Sequence, residues 1–274
     1  MNNGRDYFEI LSKHRLNKAL PTFDSEEKEQ VKLSRDEKLR RLASELVDNY
    51  FHANATVPLK LHGLTIRLRP LSYDPIALYS IMVRHIYGLV PSGYSVIDVG
   101  AHIGIFSLFA CLSNAKQVFA FEPERRNFSL LIQNIRTNHR EGTVHAFNLG
   151  VWSKDTRKIL FSSRASAFHT FFPSRYHVGE TESVACKEVN SILDEINGPI
   201  FLKVDAEGAE YEIVTSISNE NIQKIEKIEL EYHIGNHALK PLLPILVQFI
   251  ESNAFSIRFR KDAHIISATR SRET

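Results

Sequence analysis

Val96-Ile-Asp-Val-Gly-Ala-His-Ile-Gly-Ile-Phe-Ser107 is the densest signal in this chain. Val96, Ile97 and Val99 surround Asp98 and read as a short buried strand, because strands covered on both faces need β-branched apolar runs. Gly100 stops that run where the chain must turn tightly and let a ligand near the backbone. Gly104 opens a segment that turns helical, whose first amides have no partner within the helix and suit an anionic group. The stretch therefore predicts a strand–turn–helix cradle for a small ligand.

A pyrophosphate cradle wants Gly-x-Gly-x-x-Gly, with a middle glycine admitting the phosphates. His102 occupies the middle position here, and Gly100 and Gly104 leave a Gly-x-x-x-Gly spacing. Asp98 would repel a phosphate but attract an ammonium group. S-adenosylmethionine carries such a group beside a carboxylate that would face the amides. Gly100, His102, Gly104 and Asp98 are thus expected at its methionine end. Taken alone, the stretch is also compatible with an ordinary strand followed by a glycine turn. Glu122 argues otherwise: Lys116–Phe121 reads as a second buried strand, and Glu122-Pro123 follows it about twenty residues past the turn, where a βαβ unit puts a ribose-binding carboxylate.

From Tyr94 onward the chain alternates strand and helix. Strands are expected at 94–99, 117–121, 143–149, 200–204, 226–232, 255–260 and 263–269, with helices near 104–113, 124–138, 208–217 and 241–252. The last two strands read as an antiparallel hairpin closing an otherwise parallel sheet. This predicts a doubly wound, seven-stranded Rossmann-like α/β sheet with ligands at the carboxyl ends of its strands. Asp98, Glu122, Asp205 and His233 all fall at such ends. Asn148 lies near another, either facing the adenine edge or serving as a plain turn residue. Upstream, 56–71 reads as a hairpin around His62-Gly63, and Asp74 is expected to cap a helix running towards Tyr87. Residues 1–55 read as a charged helical extension, with Leu39, Leu42, Leu46 and Tyr50 at helical spacing. The expected division is therefore 1–55 and 56–274, the latter made of a hairpin and helix (56–92) and the catalytic sheet (93–274).

Composition excludes several classes. Thirty-four Lys+Arg against 32 Asp+Glu give a net charge of +2, so no basic field favours a nucleic-acid partner. The Arg35, Lys38, Arg40, Arg41 cluster is interleaved with Asp36 and Glu37 and reads as a solvated face. Cys111 and Cys186 stand apart, against a disulfide framework or structural zinc. With no signal-like start and no apolar run long enough to span a bilayer, a cytoplasmic protein is expected.

Lys203-Val-Asp-Ala-Glu-Gly-Ala-Glu210 is the second constellation. Asp205 and Glu207 stand at a strand mouth, Gly208 allows the turn, and Glu210 reads as a helix-dipole residue. In the strand that follows, alternation puts Glu229, Glu231 and His233 on one face, as an active-site wall with a titratable tip. His237, four residues on, reads as exposed.

Together Val96–Ser107, Phe121-Glu-Pro123, Asn134, Lys203–Glu210 and Glu231-Tyr-His233 resemble the FkbM-type methyltransferases over roughly residues 57–270. His102 departs from the Asn common there, and Asn190 from an Asp, read as a capping exchange. The resemblance implies an S-adenosylmethionine-dependent methyl transfer to a hydroxyl of a sugar, glycolipid or secondary metabolite. A neutral hydroxyl is a poor nucleophile, so a base or cation must help remove its proton. His233 or Asp205 is the expected base, with Lys203 or Glu207 orienting. The alternative is Mg or Mn held by Asp205, Glu207 and His233.

Ser162–Val184 is the least patterned segment, with Phe168, Phe171, Phe172 and Tyr176 suited to a sugar face or to a packed lid. His169 and Arg175 there are expected to meet any acidic substituent. Two rivals stay open: a methyltransferase for nucleic acid or protein, which lacks its Asn/Asp-Pro-Pro-aromatic motif here, and a cofactor-binding module without catalysis.

Overall fold

The computed structural model describes residues 56–69, 72–163, 166–172, 180–235 and 238–271. The expected extension 1–55, Arg175, Tyr176 and His237 lie outside the described residues. A hairpin comes first, β1 (Val57–Leu61) and β2 (Leu64–Leu68). His62 and Gly63 turn it with φ of 51° and 80°, the two positive values that a tight two-residue hairpin turn requires. Helix α1 (Asp74–Leu78) continues as a π-helical turn, Tyr79–Val83, ending short of Tyr87. Asp74 does not cap it: Tyr73 holds the cap position, and Asp74 is a fully buried first-turn residue.

The catalytic-type sheet follows as expected. It comprises β3 (Ser95–Val99), β4 (Gln117–Phe121), β5 (Val144–Phe147), β9 (Ile200–Val204), β10 (Ile225–Glu231), β11 (Phe255–Arg260) and β12 (Ile265–Arg270). Their spatial order is β11-β12-β10-β9-β3-β4-β5. Pairings β10–β9, β9–β3, β3–β4 and β4–β5 are parallel, while β12 is antiparallel to both β10 and β11. Strands β3 and β9 are buried along their whole length. Helix α2 (Ile105–Leu112) and α3 (Arg125–Thr137) connect β3 to β4 and β4 to β5.

Between β5 and β9 the chain adds what the sequence pattern did not disclose. Strands β6 (Gly150–Trp152), β7 (Thr156–Phe161) and β8 (Thr181–Glu188) form a separate sheet of order β6-β8-β7, followed by α4 (Val189–Asp194). β6 is only three residues long, and the half-exposed β7 and β8 carry several charged residues, so hydrophobic patterning understates them. Asn190 is not a cap of α4; its side chain accepts from Ser218 N–H and donates to the Ser216 carbonyl. Helices α5 (Glu210–Thr215), α6 (Asn219–Ile222) and α7 (Leu243–Ser252) complete the set. Pro244 sits in the first turn of α7, behind a 3-10 turn that contains Pro241.

The sheet divides the apolar interior in two. Ile97, Val99, Leu202, Val204 and Leu230 face one side with Ile213, Leu246 and Ile250. Val96, Val118 and Phe201 face the other with Phe106, Leu131 and the hairpin residues Ile66 and Leu68. The hairpin is stitched to α3: Asn134 Oδ1 accepts from Arg67 N–H at 2.7 Å, and Asn138 Oδ1 accepts from Thr65 N–H at 2.7 Å.

Gly100 is required by packing between strands. It has φ of 73°, and a Cβ there would lie 1.8 Å from the Asp205 carbonyl oxygen. Backbone cannot yield as a flexible side-chain tip would, so overpacking and positive φ act together. Gly100→Ala is expected to cost at least about 3 kcal/mol in denaturant unfolding. Gly142→Ala, where a Cβ meets nothing within 4 Å, is the matched control and stays near the parent value. Equal stabilities would refute this role for Gly100.

Candidate active site

Because β3, β4, β9 and β10 run parallel, their carboxyl ends share one edge. Asp98, Gly100, His102, Gly104, Glu122, Lys203, Asp205, Glu207 and His233 lie on or just past those ends. The alternating pattern foretold this convergence; the side-chain geometry changes several of the expected parts.

Asp98 does not open onto the cradle. It is wholly buried, lies 3.1 Å from Lys203 Nζ, and accepts from Ser107 Oγ at 2.7 Å. The same ammonium donates to the carbonyls of Gly100 at 2.7 Å and Val99 at 3.2 Å. Burial opposes a charge on Lys203, but Asp98 and then Asp205 outweigh it and raise its pKa. Lys203 thus pins the end of β3 to β9, and Asp98 neutralises it. The carboxylate expected to meet a ligand ammonium is thus already paired within the protein.

Nor is the Gly100–Gly104 turn an open row of amides. Gly100 and Ala101 N–H both donate to the Phe121 carbonyl, Gly104 N–H donates to Ala101, and His102 N–H donates to Glu122 Oε2 at 2.8 Å. Gly104, with φ of 86°, caps α2, and a Cβ on it would lie 2.4 Å from Leu131 Cδ1. Both glycines therefore allow close packing.

Glu122 stands at the end of β4 with one oxygen on His102 N–H and the other on Glu124 N–H at 2.9 Å. Burial raises its pKa to about 7 even against those amide donors. Asn148 does not face outward towards an adenine: its amide donates to the carbonyls of Glu122 and Pro123 at 2.9 and 3.0 Å, bracing that turn.

His233, one of the two expected bases, stands between two carboxylates. Its Nδ1 lies 3.0 Å from Glu210 Oε1 and its Nε2 3.4 Å from Glu207 Oε2. Burial disfavours the imidazolium, yet Glu210 and Glu207 prevail and lift its pKa well above the ordinary value. Glu210 is more than a dipole residue: fully buried, it accepts from Gly208 N–H and His233 N–H. Glu229 leaves the wall altogether, bonded to Ser267 Oγ at 2.5 Å and Lys227 Nζ at 3.1 Å.

Tyr87 is the residue that sequence reading missed at this mouth. Its hydroxyl lies 2.9 Å from Asp205 Oδ2 and 2.8 Å from Glu231 Oε2. A phenol has one proton, so the second short contact requires a proton on a carboxylate. Burial and then Asp205 push Glu231 up to about 8, which supplies that proton at neutral pH. Asp205, Glu231 and His233 offer ligand atoms within 4.8 Å of one another, so a three-residue cation set contains Glu231 where Glu207 was expected.

The described part of the unpatterned segment lies over this edge. Ser166 Oγ donates to Asp74, Asn127 donates to the Ser166 carbonyl, and Thr170 Oγ1 donates to the Glu207 carbonyl at 2.6 Å. Phe171 and Phe172 pack towards Trp152 with ring centroids 5.9 and 6.4 Å away. They belong to a packed strap.

Residues 98–257 match the Methyltransferase FkbM domain. The chain belongs to the FkbM methyltransferase family. Hexuronic acid methyltransferase AglP of Haloferax volcanii is 29% identical over 143 residues, half of this chain and 55% of that protein. Methyltransferase sdnD of Sordaria araneosa is 22% identical over 185 residues, covering 55% of this chain and 71% of that one. A solved FkbM methyltransferase of Methylobacillus flagellatus KT aligns with a TM-score of 0.47 and 17% identity over 70% of this chain and 47% of its own. The chain thus spans about half the length of the first of these relatives and of the solved structure. Arg69 and Tyr87 both precede the matched FkbM residues. Among the described residues, no helix is long and apolar enough to cross a membrane.

The clamp on His233 has a measurable consequence. A raised histidine pKa contributes stability that is present in full below about 6.5 and is lost as pH rises through the folded value. NMR titration is expected to find the His233 ring still protonated at neutral pH, and Glu210→Gln to bring its titration down. A parent ring titrating near the ordinary value would contradict the clamp.

Proposed function

We propose that this chain is an S-adenosylmethionine-dependent O-methyltransferase acting on a hydroxyl of a sugar, glycolipid or secondary metabolite. The observation that carries the reading is the placement of Glu122 and Asp205 at the ends of β4 and β9, the two strands that flank β3 in an FkbM domain, one suited to a ribose and one to an acceptor proton. The similarity to a hexuronic acid methyltransferase of Haloferax volcanii supports a glycan-like acceptor. We take residues 56–274 as the methyltransferase domain and 1–55 as an extension. Two buried unpaired cysteines fit a reducing, cytoplasmic setting.

The donor set fits the cofactor. Glu122 is a carboxylate whose charge burial disfavours, so two ribose hydroxyls would add the hydrogen bonds that its ionised form lacks. Bound S-adenosylmethionine supplies an electrophilic methyl group on a sulfonium. Asp205, partly exposed at the mouth, takes the acceptor's proton. Tyr87 fixes the orientation of Asp205 by the 2.9 Å contact, and Lys203 Nζ lies 4.0 Å from the same oxygen. Glu231, Glu207, Glu210 and His233 form the polar wall behind it. A site dry and aligned in this way favours transfer from a sulfonium, whose charge is lost as the methyl leaves.

A second reading has its own observation: the Asp205–Glu231–His233 set is compact enough for a divalent cation, and its oxygen-rich donors suit Mg or Mn. Methyl transfer from labelled S-adenosylmethionine into a panel of hydroxylated and uronic acid glycans tests the proposal. Asp205→Asn is expected to lower turnover at least about 100-fold, the range of a positioned general base. Transfer unaffected by that change would remove Asp205 from the chemistry. Loss of activity with chelator, restored by Mg or Mn, would select the cation reading; indifference to chelator selects the base.

A further inference from the structure

An S-adenosylmethionine site must meet a carboxylate at the methionine end as well as an ammonium. The turn that should cradle it has little to offer. The amides of Gly100, Ala101, His102 and Gly104 are bonded within the protein, and Ile105, Phe106 and Ser107, whose amides open α2, are at most 2% exposed. Lys203, the cation beside the turn, is 2% exposed and spent on Asp98 and two carbonyls. Arg69 differs. Its side chain is 25% exposed, whereas its partner Asp74 is fully buried.

Arg69 is also held in place. Its backbone N–H and Nε donate to Asp74 Oδ2 at 2.8 and 3.0 Å, and Nη2 donates to Oδ1 at 2.8 Å. Ser166 Oγ adds a fourth bond to Asp74, so that carboxylate is saturated and anchored under the strap. Nη2 lies 3.1 Å from His102 Nε2, on the turn itself. Burial brings the His102 pKa down to about 4, leaving a neutral ring that accepts from the guanidinium. Asn134 completes the placement: its amide donates to the carbonyls of Arg67 and Ile103, joining the hairpin end to the Gly100–Gly104 turn.

We propose that Arg69 binds the carboxylate of the cofactor's methionine moiety, delivered from a hairpin that precedes the matched FkbM residues. Guanidinium–carboxylate pairing is the strong, directional contact available at this edge. Asp74 and His102 act as positioning residues, fixing the guanidinium plane and leaving its exposed side for the ligand. The proposal rests on the cofactor reading above.

The test compares two ligands by calorimetry: S-adenosylhomocysteine, which carries the amino-acid end, and 5′-methylthioadenosine, which lacks it. Arg69→Ala is expected to weaken S-adenosylhomocysteine at least about tenfold while leaving methylthioadenosine within about twofold. Arg69→Lys, which keeps a charge for Asp74 but not the fork, is expected to fall between. Unchanged methylthioadenosine binding also reports that the variant is folded. If Arg69→Ala weakens both ligands equally, or neither, the assignment to the carboxylate is overturned. If Arg69→Ala fails to fold, Arg69→Lys decides alone, and identical loss for the two ligands there overturns the proposal. A parent chain that binds neither ligand would instead remove the cofactor reading on which it rests.

Discussion

The ion pair between Lys203 and Asp98 is the constraint on which the functional edge depends. Both groups sit next to the carboxyl ends of fully buried strands, in register as neighbours on β3 and β9. Removing one partner from such a pair commonly costs about 3–5 kcal/mol, because the other charge is left stranded. The pair also does local work that an apolar substitute would not. Lys203 bonds the carbonyls of Val99 and Gly100, while the Asp205 carbonyl occupies the space a Gly100 side chain would need. The turn bearing His102 and the mouth bearing Asp205 are consequently fixed against each other.

Much of this was legible in the sequence. The strand run Val96–Val99 and its glycine stop established the sheet, because buried parallel strands leave a strong apolar signal. The β6–β8 sheet escaped, since strands such as Thr156–Phe161 alternate charged with apolar residues on a half-solvated surface. At the site, proximity was readable and partnership was not. Asp98 looked like a ligand contact because a sequence does not show that Lys203 is its cross-strand neighbour. His233 looked like a base because Glu210, twenty-three residues upstream, returns to its ring only through the α5 turn. Tyr87 and Arg69 had no motif at all. Each is brought in by tertiary packing of the segment before β3, and a polar residue at the end of an amphipathic element is too common to be diagnostic.

The corrected roles give a consistent division of labour along the edge. Asp98 and Lys203, both buried in the sheet, pair with each other, and Glu210, buried at the start of α5, holds the His233 ring. Asp205 and Arg69 keep part of their surface exposed, each steadied by a buried neighbour, Tyr87 and Asp74. The strap from Ser166 to Phe172 reinforces this by bonding to Asp74 on one side and to the Glu207 backbone on the other. Gly208 belongs to the same contact, since a Cβ there would lie 2.9 Å from the Phe172 ring.

Glu122 offers the most direct test of the cofactor assignment on which the functional account stands. Its pKa is raised to about 7 by burial, and ribose hydroxyls favour its ionised form. Affinity for S-adenosylhomocysteine should therefore rise as pH increases through 7 and level off above it. In Glu122→Gln the affinity should be weaker throughout and lose that rise. Calorimetry of the parent and variant chains across this range decides the matter. Equal affinities, or a parent profile flat through the Glu122 titration, would contradict the account.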